Sequence, residues 1–406
     1  MMSTHEHVSG GGVTSPLGFS AGAVKADIKG AGAEKLDLGL LCSNVPAVAA
    51  GVFTLNKVSA APVRYSRARL AGGQAQAVVF NSGNANACTG EQGMRDAERM
   101  AELAATRLGI PAALVQVAST GVIGVPLPMG RIGDGLARLT WSREGGRQAA
   151  EAIMTTDTFA KEVAVRLTVG GRVVTVGGMA KGSGMIHPNM ATMLGFLTTD
   201  ASLEGAYAAH LLRRVADATF NMVSVDGDTS TNDTLLLLAN GESGTPVLRG
   251  GDAASDAFAA ALHDVARDLT IMLARDGEGA TKVIEVRVQG AESIEDARRV
   301  AMAVAQSPLV KTAVYGGDPN WGRIACAAGY SGAALDQERL DVAMAGALLM
   351  RQGTPLAFNR DEVVAALKGA SQVLIEVDLH LGSYQATAWG CDLTEGYVDI
   401  NGHYTT

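Results

Sequence analysis

Lys181-Gly182-Ser183-Gly184-Met185-Ile186-His187-Pro188-Asn189-Met190-Ala191-Thr192-Met193-Leu194 is a glycine-rich corner between two strand-like segments. Upstream, residues 161–169 and 172–176 flank Gly170-Gly171, a strong signal for a two-residue hairpin. The second of these segments runs straight into Gly177-Gly178 and the corner, and strand-like residues 193–197 follow Thr192. Thr192 is therefore expected at the start of the strand that leaves the corner.

Outward from this point, helical and strand-like segments alternate without a fixed repeat or a low-complexity linker. Residues 75–80 form an apolar run ending in Asn81-Ser82-Gly83, which reads as a buried strand entering a turn. A helix is predicted over 95–108, with Ala97, Met100, Ala101, Ala104 and Leu108 on one face and Gly109 and Pro111 as its stop. Residues 115–118 read as a short strand that delivers Ser119-Thr120-Gly121, and a further helix ends just before Thr155-Thr156-Asp157. Helices are expected over 203–218, 253–274 and 294–305, with strands at 234–239 and 282–288. In the tail, 373–379 and 384–389 across Gly382-Ser383 read as another hairpin. Hairpins mixed with long helices imply a layered α+β architecture, with a weak boundary in the Gly-, Ser- and Pro-containing stretch 241–252.

Composition narrows the function. The 406 residues are 47% apolar and 18% charged, as expected of a compact globular enzyme. A net charge of −8 argues against nucleic acid or an anionic membrane as the main partner. The four cysteines, Cys42, Cys88, Cys326 and Cys391, show no C-x-x-C spacing, so a reducing, cytoplasmic setting is expected rather than a disulfide framework. Residues 1–12 carry no apolar signal core, and no run approaches the roughly 20 apolar residues of a membrane span.

Several common signatures fail on spacing. Lys181 lacks the neighbours of a phosphate-cradling loop, and neither Ser183 nor Ser331 fits the G-x-S-x-G elbow. Asp226-Gly227-Asp228-Thr229-Ser230-Thr231-Asn232 opens like a calcium loop. Its sixth position is Thr231 rather than Gly and its twelfth is Leu237 rather than Glu, so it reads as a turn with capping side chains. The histidines form no H-E-x-x-H pair; neither metal nor cofactor is expected.

A hydroxyl needs a base beside it to act as a nucleophile at neutral pH. A chain-terminal Thr carries its own, an α-amine with a pKa of about 7.7–8.0. An internal Thr acquires that amine only if the peptide bond before it is cut, and its hydroxyl can make the cut by attacking the preceding carbonyl. Small Ala191 leaves that carbonyl accessible, and Pro188 with the glycines suits a tight corner.

Taken with Ala118-Ser119-Thr120-Gly121, Thr155-Thr156-Asp157 and the tail, this motif resembles the glutamate N-acetyltransferase family, also called ornithine acetyltransferase, of arginine biosynthesis. The resemblance runs from about residue 18 to residue 406, and segments 81–90, 181–194, 225–234 and 316–323 are its most specific parts. It implies cleavage between Ala191 and Thr192, Thr192 as nucleophile, and Thr120 and Gly121 as oxyanion stabilisers. It also implies substrate contacts from Thr155, Lys181, Glu278, Asn401 and Thr406. Glu278 is expected to recognise an amino end, and Lys181 to meet a carboxylate or disfavour protonation of the Thr192 amine. Segments 81–88 and 316–323 receive no catalytic role; the Asn-rich turn is expected to support the site, Cys88 to be a buried small hydrophobe and Trp321 a packing anchor.

The fold implied is an α/β/β/α sandwich of the N-terminal-nucleophile type with a smaller C-terminal α/β part. Its expected divisions are an alpha chain 1–191, a stretch 192–280 completing the catalytic domain, and 281–406 with a tail returning to the site. The chains would remain together as an α2β2 tetramer. The implied reaction moves acetyl from N-acetylornithine to glutamate, and acetyl-CoA as a second donor is left open. The alternative is an aminopeptidase or amidase of the same nucleophile logic, in which water captures the acyl group.

Overall fold

The computed structural model describes residues 5–30, 32, 34–187 and 193–403. In chain order its elements are β1 (His5–His7), β2 (Phe19–Val24), β3 (Leu38–Phe53), α1 (Ala61–Arg69), β4 (Gln74–Asn81), α2 (Gly90–Leu108), β5 (Val115–Ser119), α3 (Met129–Arg138) and α4 (Gly146–Ala152). There follow β6 (Lys161–Val169), β7 (Arg172–Lys181), β8 (Leu194–Thr199), α5 (Gly205–Ala218), β9 (Val223–Ser224), β10 (Thr234–Ala239) and α6 (Ala253–Arg275). The remainder is β11 (Val283–Ala291), α7 (Ile294–Gln306), α8 (Pro308–Gly316), α9 (Trp321–Gly329), β12 (Asp341–Met344), β13 (Ala347–Arg351), β14 (Thr354–Pro355), α10 (Arg360–Gly369), β15 (Gln372–Asp378), β16 (Tyr384–Cys391) and α11 (Glu395–His403).

The hairpin beside the corner forms as its sequence dictates. β6 and β7 pair antiparallel from Lys161–Ala180 to Val169–Arg172. Gly170 (φ 56°) and Gly171 (φ 76°) both take the left-handed conformation that a tight hairpin turn demands. The first sheet runs β1-β6-β7-β8-β10-β3-β4-β5, with β2 added on β3.

β3 is where this sheet folds over itself. Its first part, Leu38–Cys42, pairs with β2 and β4, and its second, Val48–Phe53, pairs with β10, with a register break between Cys42 and Ala47. The fold brings β4 over β8: the Phe80 and Phe196 rings lie 5.5 Å apart. Two β layers result, with one apolar core between them and another on each outer side. Leu235 and Leu237 of β10 join the core under α5 and α6, while Leu236 and Leu238 join the core between the layers. This explains why β10 is a continuous apolar run: a strand buried on both faces has no solvent side to encode. Each such Leu contributes roughly 1.5–3 kcal/mol of burial. The third core seats α1, α2 and α3 on β3, β4 and β5. The order helix, sheet, sheet, helix is the α/β/β/α layering that the resemblance implies, in a mixed α+β fold.

The second sheet runs β14-β13-β12-β15-β11-β16-β9. Here one expectation is corrected. β15 and β16 are not a hairpin, because β11 lies between them, parallel to β15 and antiparallel to β16. The Leu381 and Gly382 N–H groups both donate to Gly290 O at 2.7 and 2.8 Å, carrying the connection across the end of β11. Alternation in a strand fixes its faces but not its neighbours. Nor does stretch 241–252 mark a boundary: it links β10 to α6, and α6 packs back on β6 and β7. Its Leu248 is bound to Ser202 and Glu204 through the backbone. No helix among the described residues is long and apolar enough to cross a membrane.

Candidate active site

β7 ends at Lys181, whose cross-strand partner is Leu194, the first residue of β8. The corner therefore leaves and re-enters the sheet at adjacent strand ends. Ala191 and Thr192, and Thr406 at the tail, lie outside the described residues. The flanks are firmly held. Met193 is buried, and its carbonyl accepts the Thr234 N–H at 2.9 Å. Ile186 O accepts from Val225 N at 2.7 Å.

A cleft opens at these strand ends. It is lined by Thr120, Gly121, Thr155, Lys181, Glu278 and Asn401, so all the expected site residues that are described meet in one place. Lys181 is buried, with Nζ donating to Thr155 Oγ1 at 2.8 Å and reaching Thr120 Oγ1 at 3.4 Å. Burial lowers its pKa; the Asp157 carboxylate opposes that and the Lys161 cation adds to it. Across the cleft, Glu278 follows the turn after α6, its N–H bonded to Ser183 O at 2.9 Å and its carboxylate receiving Asn401 Nδ2 at 2.8 Å. Tyr397 and Asn401 of α11 line the cleft.

Gly121 stands where the chain passes close to the Asn-rich turn. Its φ is 133°, and a Cβ there would lie 2.3 Å from the Gly83 carbonyl carbon. The Asn-rich turn supports this passage. Asn81 accepts from Ser119 Oγ at 2.7 Å and donates to Asn84 O at 2.9 Å. Asn232 donates to both Ala85 O and Ser119 O, at 2.6 and 2.8 Å. Cys88, however, is exposed rather than buried; Ala85 and Ala87 are the turn's buried apolar residues. Segment 316–323 lies outside the cleft, where Asn320 caps α9 and partly buried Trp321 packs on the core.

Beneath the cleft is a buried charge cluster that sequence reasoning missed. Asp157 accepts from Thr155 N (2.9 Å), Gly182 N (2.7 Å) and Lys161 Nζ (2.7 Å). Lys161 also donates to Asp276 at 2.5 Å, and Asp276 in turn receives the Thr158 N–H and hydroxyl. The three side chains are 0–2% exposed. Burial alone would raise the Asp157 pKa, but the Lys181 and Lys161 cations outweigh it and hold the carboxyl well below its usual range. Asp157 was legible only as a turn residue beside Thr155; Asp276, which shares Lys161 with it, lies more than a hundred positions away.

The Asp226–Asn232 loop, read as a capped turn, in fact builds one wall. Asp226 accepts from Met185 N at 2.6 Å and Ile186 N at 2.8 Å, and Thr229 Oγ1 donates to His187 O at 2.8 Å. Tyr397 of α11 reaches the same Asp226 carboxylate at 3.4 Å. Thr156 and Ser183 hydroxyls meet at 2.6 Å. The signal for this wall was present in the run of short polar side chains, but capping explains such a run equally well.

Chemically, the cleft offers a cation flanked by hydroxyls and, opposite, a carboxylate held by an amide. That pairing suits a small ligand carrying both a carboxylate and an ammonium group. Fold and site together define an α/β/β/α protein whose cleft, at the ends of its central strands, sets a lysine opposite a carboxylate. The ArgJ family model matches residues 20–406, so the chain belongs to the ArgJ family. An arginine biosynthesis bifunctional protein ArgJ from Symbiobacterium thermophilum is 58% identical over 398 residues, covering 98% of this chain and 99% of that one. The protein of the same name from Dehalococcoides mccartyi is 46% identical over the full length of both. The crystal structure of arginine biosynthesis bifunctional protein argJ from Bacillus halodurans is 45% identical, with a TM-score of 0.51, over 52% of this chain and 98% of that one.

Proposed function

We propose that the chain cuts itself between Ala191 and Thr192 and then transfers acetyl from N-acetylornithine to glutamate through an ester on Thr192. In this reading Thr192 Oγ attacks the acetyl carbonyl, its own α-amine takes the proton, and Thr120 and Gly121 stabilise the oxyanion. Ornithine leaves, and the glutamate amine collects the acetyl group, regenerating the hydroxyl. Lys181 meets the substrate carboxylate and Glu278 its amino group, with Thr155, Asn401 and Thr406 completing the contacts. The products of cleavage remain together, as an α2β2 tetramer. The relatives are named bifunctional; in this proposal acetyl-CoA serves as a second donor to the same hydroxyl.

The observation that carries the reading is the juxtaposition of Lys181 with Thr155 and Thr120 on one side and Glu278 with Asn401 on the other. Both groups line the cleft that opens where β7 ends and β8 begins. The test is denaturing mass spectrometry with N-terminal sequencing, followed by incubation with N-acetylornithine with and without glutamate. The expected result is a fragment beginning at Thr192 and ornithine release that depends on glutamate. Release indifferent to glutamate supports a hydrolase instead.

Gly121→Ala probes the oxyanion assignment. The added methyl forces the backbone of residues 83–84 and 121 apart, and kcat is expected to fall on the order of 10²-fold, the scale of one lost oxyanion donor. A steady-state assay at saturating substrate checks this.

A further inference from the structure

Asp233 precedes β10, one residue before Thr234, which pairs with Leu194 and donates to Met193 O. It thus sits just before the strand that pairs with the one following the proposed scission point. Its side chain lines the cleft with Lys181 and Thr120, yet the residue is only 2% exposed and Oδ2 has no hydrogen-bond partner. No other carboxyl oxygen among the described residues is buried in this way. A buried polar atom without a partner costs roughly 1–3 kcal/mol and calls for an explanation.

We propose that Asp233 is the proton donor to the nitrogen that departs when the chain is cut before Thr192. This rests on the self-cleavage reading above and adds to it the acid that the reading lacks. An amide nitrogen cannot leave as an anion; it must be protonated as the C–N bond breaks. In the step, Thr192 Oγ bonds to the Ala191 carbonyl carbon, and the bond to nitrogen breaks. The nitrogen leaves as an amine with the proton from Asp233. The proton lost by the hydroxyl returns to the Asp233 carboxylate, so the acid is regenerated and the ester isomer of the chain is left for water to open. The acid must be neutral beforehand. Burial pushes the Asp233 pKa well above the ordinary carboxyl value, and hydrogen bonds from Ser230 and Thr54 to the carboxyl, with the Lys181 cation, only partly oppose it.

The test follows conversion of the full-length precursor to two fragments, by denaturing mass spectrometry, in wild type, Asp233→Asn and Asp233→Glu. Asp233→Asn is expected to cut on the order of 10²-fold more slowly, the range of a lost general acid, and Asp233→Glu to recover much of the rate. Hydroxylamine, which intercepts an ester, should not rescue Asp233→Asn, because the block precedes the ester. Should the Asn variant fail to fold, Glu against Gln at the same position makes the same comparison of acid with amide. Wild-type scission with an equally fast Asp233→Asn, or rescue of that variant by hydroxylamine, overturns the assignment alone. An uncut wild-type chain overturns it together with the self-cleavage reading.

Discussion

Thr192→Ala is expected to yield a single uncut chain and to lower acetyl transfer by about 10⁴-fold or more, the scale on which loss of a covalent nucleophile acts. Two deficits have one cause: without the hydroxyl neither the scission nor the acyl ester can form. Thr192→Ser keeps the hydroxyl and is expected to retain part of both, with slower scission because the β-methyl no longer restricts its rotamer. One gel of the purified variants reads the first effect, and ornithine release at saturating N-acetylornithine and glutamate reads the second. An uncut Thr192→Ala protein with wild-type turnover would refute the mechanism. The buried flanks Ile186 and Met193 give no reason for the variant to unfold.

The second large effect is on stability. Asp157→Asn removes one carboxylate from a site where Lys161 and Lys181 are both buried. Removing one partner of a buried ion pair typically costs about 3–5 kcal/mol, because the remaining charge stays uncompensated. Asp276 still holds Lys161, so the loss should fall within that range and not beyond it. Urea unfolding midpoints at matched m-value check this. There is a functional consequence as well. Asp157 is the carboxylate that most raises the Lys181 pKa against the lowering by burial. Without it the Lys181 cation gives up its proton at lower pH, so in the variant KM for the carboxylate substrate should climb with pH sooner than in wild type. A variant of unchanged stability and unchanged KM profile would show that the cluster is not coupled to the cleft.

Much of this was legible in the sequence, for reasons that can be named. Gly170-Gly171 encodes a turn within four residues, and β6 and β7 followed from it. The Gly109 stop ended α2 where expected, with φ at 69°. The candidate residues Thr120, Gly121, Thr155, Lys181, Glu278 and Asn401 were named by resemblance, and the fold places all six along one cleft. What stayed hidden was pairing at long range. The Asp276 bond to Thr158 spans 118 positions and the Asn401 bond to Glu278 spans 123. Neither residue's neighbours reveal its partner.

By itself the sequence determined what is local: which segments are strands and helices, and where turns must fall. Tertiary structure alone decided that β3 bends so the sheet closes on itself, that β11 inserts between β15 and β16, and that Asp233 is sealed beside Lys181 with an oxygen unspent. Turn and face are written in neighbouring residues because sterics and periodicity act over a few bonds. Sheet order and the burial of a charge depend on which distant surfaces cover one another, and that is settled only when the whole chain packs.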